Sequence, residues 1–297
     1  MIIYGCDTPR RIGGFGDRIV GIISCKVLAD CLGREFRIAW TKEDITYFVD
    51  YSRYDDKEPA PALFAIDNQQ MLKPHLMTAD PVFPAPRLKL YTNQEIAQYL
   101  FKNPRFTGDY FASMFAAYRS LYTDILLPTE FSAEVIARTI RTAKPVLVGI
   151  QIRTGDCYMK TNPGETHQRV ANPATDIKDF MTKIKAHIEE TYAEYSVFVS
   201  SDYEHVLGVA QTVWSPEAIC YLDQVPQHID RAVAGDFSKV YIDNYILSQK
   251  TTRLYISDYS NYGRVAALSS GQETIYSLQT EVLDRRRLLT NMESVFI

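Results

Sequence analysis

Apolar residues Ile19, Ile22, Ile23, Val27 and Leu28 recur at helical spacing, which predicts a helix over residues 19–32. Gly33 suits its C-terminal cap. A short strand over residues 2–5 and a turn-rich segment over 7–18 precede it. REFRIAW, residues 34–40, alternates and returns as a strand. Strand, glycine loop, helix and strand in succession make a βαβ unit. Residues 43–85 are irregular and interrupted by proline. Residues 91–101 and 109–121 carry helical patterns, and Ser132 is placed as the N-cap of a helix over 133–142.

The second half is more regular. VLVGIQI, residues 146–152, is a nearly continuous apolar run, of the kind buried on both faces of a parallel sheet. Further strands are predicted over 196–202, 218–222 and 253–258. Helices are predicted over 177–192, 203–213, 240–249 and from 263. This alternation indicates a doubly wound α/β sheet. The boundary between two domains falls within residues 128–145. That gives domains of 1–140 and 141–297, with the last helix in the second domain or crossing back to the first.

Length and composition fit this picture. The chain has 297 residues, 46% hydrophobic and 23% charged, enough for two cores in a globular protein. No apolar run reaches the length of a membrane span. The start, MIIYGCDTPRRIGG, lacks the features of a signal peptide, so a cytoplasmic location is expected. The net charge of -4 is spread along the chain, which argues against nucleic acid as a partner. The five cysteines show no CxxC and no zinc spacing, and read as free thiols in a reducing compartment.

Ligands of doubly wound sheets bind off the carboxyl ends of the strands. Three predicted strands end there in polar clusters: Arg153-Thr-Gly-Asp, Ser200-Ser-Asp and Ser257-Asp-Tyr-Ser-Asn. A guanidinium matches phosphate oxygens bidentately, so Arg153 suits an anion; a salt bridge to Asp156 or Asp202 is the structural alternative. Asp202 could accept the paired N–H donors of a guanine edge or cap a helix. Ser257 and Ser260, before a helix N-terminus, suit a pyrophosphate or simple capping. GGFGDR lacks the third glycine of a dinucleotide fingerprint. It remains a tight turn or a loop lining an interdomain cleft.

Together, IQIR with Asp156 after it, VFVSSD and YISDYSNYGRVAAL resemble the three motifs of the GT-B fucosyltransferase superfamily. That superfamily contains α1,2-, α1,6- and protein O-fucosyltransferases and the rhizobial nodulation enzymes. GGFGDRIVGIISCKVLADCLGREFRIAW resembles the family's opening loop, helix and strand. The resemblance implies a GT-B fold, two Rossmann-like domains facing a central cleft, with the acceptor side in the first and the GDP-sugar side in the second. Arg153 stands at the position of the arginine that holds the donor β-phosphate. Asp202 matches the guanine-contacting acid, Ser260 the serine-rich phosphate loop and Arg264 the arginine after it. Around them the resemblance places Gly14, Phe15, Gly16, Arg18, Gln151, Ser201, Ser257, Tyr259, Asn261 and Tyr262 at the donor. Gln151 and Thr154 stand where many members carry His and a second Arg, and residues 41–130 match no family segment.

The implied reaction is an inverting transfer of L-fucose from GDP-fucose to a glycan hydroxyl, with no cofactor and no metal. Fixed cations and helix-terminal N–H groups stabilise the charge on the departing phosphate, and no DxD motif with strand context is present. An inverting transfer also needs a base; Asp17 is the first candidate, then Asp156 and Glu165. Two other readings remain: a GT-B transferase for another nucleotide sugar, and a silent sugar-nucleotide or glycan-binding protein. A Rossmann dehydrogenase would need an acid after the second strand, where REFRIAW ends in Trp40 and Thr41.

Overall fold

The structure, a computed structural model, describes residues 1–6, 14–40, 45–57, 63–66, 76–77, 86–104, 106–154, 173–203, 205–224 and 238–290. The chain divides into two compact units, one from Met1–Thr129 and the other from Glu130–Asn291. The tail beyond residue 290, on which a return to the first domain depends, lies outside the described residues.

The first unit opens with β1 (Ile2–Gly5), α1 (Phe15–Cys31) and β2 (Phe36–Ala39). β1 and β2 pair in parallel, so the predicted βαβ unit is present. It continues through β3 (Val49–Asp50), β4 (Leu63–Ile66), β5 (Arg87–Leu90), α2 (Ala97–Phe101), α3 (Tyr110–Ser120) and β6 (Leu127–Pro128). The main sheet runs β2-β1-β5-β4 with all neighbours parallel, and β3 pairs with β6 separately. β1 is buried throughout, as expected for an inner parallel strand. Gly21 lets α1 lie against the chain beyond β5. A Cβ there would sit 2.0 Å from the Thr92 carbonyl oxygen and 2.7 Å from the Tyr4 ring. Gly33 follows α1 with φ of 61°, the left-handed conformation that glycine adopts without steric cost.

Three local expectations need correction. α1 begins at Phe15, inside the segment read as loop, because the Asp17 carboxylate accepts the Gly14 N–H at 2.9 Å and closes the first turn. Residues 91–101 are not one helix. The strand β5 precedes them, and only Ala97–Phe101 is helical, with Glu95 bonded to the N–H groups of Ala97 and Gln98. Ser132 is not an N-cap. The helix α4 starts earlier and spans Glu130–Thr139, so Ser132 lies inside it and is fully buried.

The second unit holds α4, then β7 (Leu147–Ile152), α5 (Pro173–Glu189), β8 (Ser196–Ser201), α6 (His205–Val213), β9 (Ile219–Cys220), α7 (Ser238–Gln249), β10 (Arg253–Ile256), α8 (Asn261–Ser269), β11 (Ile275–Ser277), β12 (Val282–Leu283) and α9 (Arg285–Thr290). The sheet order is β12-β11-β10-β7-β8-β9, parallel except at β11–β12. β7 is a central strand and all six of its residues are buried. On one face Val148, Ile150 and Ile152 pack with Ile177, Met181, Ile184 and Ile188 of α5 and Val206 and Ala210 of α6. Each large aliphatic side chain buried this way contributes roughly 1.5–3 kcal/mol. On the other face Gly149 leaves room for Leu247 of α7, which a Cβ would approach to 3.0 Å. No helix among the described residues is long and apolar enough to cross a membrane.

Candidate functional site

β7, β8 and β10 are parallel neighbours, so their carboxyl ends lie side by side at one edge of the second unit. Gln151 is 2% exposed and its side-chain oxygen accepts the Ser257 N–H at 3.2 Å, beside the ladder bond from that same N–H to the Gln151 carbonyl at 3.1 Å. The Arg153 N–H in turn donates to Ser257 Oγ at 2.9 Å. The Tyr259 hydroxyl donates to the Arg153 carbonyl oxygen. The segment leaving β7 is thereby tied to the segment leaving β10. Tyr259 keeps 49% of its surface exposed, and burial of the rest raises its phenol pKa.

Asp202, just past β8, is the other partner of this segment. Its Oδ1 accepts the Thr154 N–H at 2.8 Å and the Thr154 hydroxyl at 3.0 Å, and its Oδ2 lies 3.1 Å from an Arg153 guanidinium nitrogen. The salt bridge weighed as the structural alternative for Arg153 is thus formed. Ser201 also lies near this carboxylate, its Oγ 3.5 Å from Asp202 Oδ1, and accepts the Tyr203 N–H at 3.1 Å.

α8 begins directly beyond β10. Ser260 precedes it in an extended conformation and makes no side-chain cap bond to the helix. The end of α8 is therefore not closed by its own serine, and a helix end left so suits an anion. Asn261 and Tyr262 form the first turn. Arg264 is 4% exposed, donates to the Asp258 carbonyl and lies 3.4 Å from Asn261 Oδ1, so it braces the loop from inside. Gly263 allows this approach, because a Cβ there would meet Gln151 Oε1 at 2.4 Å.

A buried polar group that the sequence reading did not single out lies behind β8. Lys239 and Asp243, one turn apart on α7, pair at 2.9 Å, and Ser200 donates to the same Asp243 oxygen at 3.0 Å. Lys239 also donates to the Leu222 carbonyl at 3.1 Å. The other carboxylate oxygen, Asp243 Oδ1, is buried with no hydrogen-bond partner. Burial raises the Asp243 pKa, against the pull of the Lys239 ammonium and the Ser200 hydroxyl. A desolvated acceptor without a donor is costly. The available sequence signal was a Lys and an Asp four residues apart in a helix otherwise flanked by Tyr, Ile and Leu.

The expected residues of the glycine loop belong to the first unit. Gly14, Phe15 and Gly16 form the start of α1. Asp17 closes that turn through Gly14. Arg18 is 1% exposed; it donates to Cys6 Sγ at 3.3 Å and lies 5.4 Å from the centre of the Trp40 ring. It therefore links α1 to the strand ends within its own unit. Asp156 and Glu165 lie outside the described residues. Among the described residues no group of three His, Cys, Asp or Glu side chains is placed to hold a metal.

No family model matches the chain, and no curated protein sequence matches it. Solved structures do. A NodZ α-1,6-fucosyltransferase soaked with GDP-fucose superposes with a TM-score of 0.62 at 13% identity, covering 95% of this chain and 98% of that one. A variant of Arabidopsis thaliana FUT1 in complex with GDP gives 0.64 at 15% identity, covering 93% and 70%. POFUT1 in complex with GDP gives 0.53 at 12% identity, covering 93% and 96%. What the chain shares with these structures is their architecture, the α/β GT-B fold.

Proposed function

We propose that the chain is a glycosyltransferase that moves L-fucose from GDP-fucose to a glycan hydroxyl with inversion. The observation that carries this reading is the strand-end cluster of the second unit. There Arg153, Ser257, Tyr259 and Ser260 converge from β7 and β10 beside an α8 terminus that Ser260 does not cap. Such an end with a nearby guanidinium suits a pyrophosphate. The structures that share the fold support a guanine nucleotide in particular, since those cited carry GDP or were soaked with GDP-fucose.

In the transfer, the bond between the sugar C1 and the β-phosphate oxygen breaks and GDP departs with the electron pair. Arg153 and the α8 N–H groups would stabilise the charge that builds on that phosphate. A carboxylate would take the acceptor proton as the hydroxyl attacks from the opposite face. Asp17 and Asp156 are the candidates for that base. With Asp17 engaged in capping α1, its use requires that bond to be shared or released. The donor complex is read as needing no metal and no cofactor.

The test is calorimetric titration with GDP and UDP, together with nucleotide release from a panel of sugar nucleotides. Binding of GDP over UDP, with release from GDP-fucose above release from GDP-mannose, is the expected result. GDP binding without release from any donor would favour the binding-protein reading, and release from another donor would change the sugar. Absence of GDP binding would overturn the proposal.

A further inference from the structure

The two residues that follow β7 bring three donors to the Asp202 carboxylate, the Thr154 N–H at 2.8 Å, the Thr154 hydroxyl at 3.0 Å and the Arg153 guanidinium at 3.1 Å, beside the Ser201 hydroxyl at 3.5 Å. Its side chain is 7% exposed, so these bonds form largely out of water, where an unmet carboxylate valence is expensive. The two oxygens divide the work. Oδ1 fixes the backbone and hydroxyl of Thr154, and Oδ2 fixes the guanidinium of Arg153. A second tie reaches Arg153 from β10, through Ser257 Oγ and Tyr259. These ties hold the main chain of Arg153, whereas Asp202 holds its charged end.

We propose that Asp202 is the positioning residue for Arg153: it orients the guanidinium toward the phosphate of the nucleotide and does not read the base. The proposal rests on the nucleotide reading of this site. An arginine side chain loses rotamer freedom when a ligand orders it, and a carboxylate that orders it beforehand lowers that cost of binding. Asparagine at position 202 can still accept from Thr154 with its oxygen. Its amide nitrogen, however, would face the Arg153 donor and remove this charged contact.

The expected consequence is selective. Asp202→Asn should weaken GDP binding about tenfold or more, the scale of one charge-assisted hydrogen bond. Guanosine, which lacks the phosphates, should bind as before, and the preference for GDP over UDP should persist. In an Arg153→Ala background the same Asp202 substitution should change GDP affinity less than about threefold, because interacting residues give non-additive effects. Calorimetric titration of the full chain with GDP, UDP and guanosine measures all of these. Loss of guanosine binding or of GDP-over-UDP preference in Asp202→Asn would assign Asp202 to the base and overturn the proposal. So would equal effects of Asp202→Asn with and without Arg153. Wild-type chain that binds no GDP would instead overturn the nucleotide reading, and the proposal with it. Should Asp202→Asn fail to fold, Thr154→Val removes one anchor of the carboxylate. A loss confined to GDP is then expected, and an equal loss for guanosine would overturn the assignment.

Discussion

Arg153 carries the residue-scale claim, and its surroundings set what its removal should do. Its N–H is held by Ser257, its carbonyl by Tyr259 and its guanidinium by Asp202. Arg153→Ala leaves both main-chain ties in place, so the fold should survive. Turnover of the sugar nucleotide should fall by about 10²–10³-fold, the usual scale for one donor to a developing anion. A rate within about threefold of wild type, read by GDP release, would contradict the phosphate role. The strand end was legible in the sequence because an apolar run that stops at an arginine is a pattern of one short segment. The partner of that arginine was left open between Asp156 and Asp202, since sequence does not say which neighbouring strand is adjacent. Asp243 went unseen for a related reason. A buried acid on a helix looks like any exposed one until the sheet it packs behind is known.

At the scale of elements, close approaches decide where helices sit. Gly263 brings α8 against β7, where the Gln151 oxygen that a Cβ would strike is also held by the Ser257 N–H. Gly263→Ala should therefore destabilise the chain by about 1–3 kcal/mol, the usual cost of overpacking, and the added Gln151→Ala change should restore part of it. Urea midpoints measure both, and an unchanged midpoint in the single variant would show that the contact is not tight. Glu95 makes a different junction. Its carboxylate accepts from Ser24 of α1, from the N–H groups of Ala97 and Gln98 that open α2, and from Tyr110 of α3. Burial pushes its pKa up from 4.5 to about 7, although each of these donors pulls the other way. Folded chain then holds this proton where unfolded chain has lost it. The contribution is full below about pH 4.5 and is lost as pH rises through about 7, by up to about 3 kcal/mol. Urea unfolding across that window should show stability falling with pH, and Glu95→Gln should flatten this component of the slope. Equal slopes in the two proteins would remove Glu95 as its source. Helix edges were the least legible features. Two glycines disguised the start of α1, and no side-chain period reveals that Asp17 turns back onto Gly14.

For the molecule as a whole, mainly parallel sheets were readable from the alternation of strands and helices. The second sheet was the clearer of the two, because its central strands carry nearly continuous apolar runs. The first was clear only through β2. Beyond it the strands are short and separated by proline-punctuated segments, and β5 was hidden beside a helical pattern. The donor-side residues that the structure brings together all belong to the second unit, so the central claim can be tested without reference to the first. The most direct measurement is GDP release from GDP-fucose by wild-type chain and by Arg153→Ala, with GDP affinity measured in parallel. The account predicts release by wild type that falls about 10²-fold or more in the variant, with the fold intact by thermal melting. Release that is equal in the two proteins, or wild-type chain that neither binds GDP nor releases it, would contradict the account.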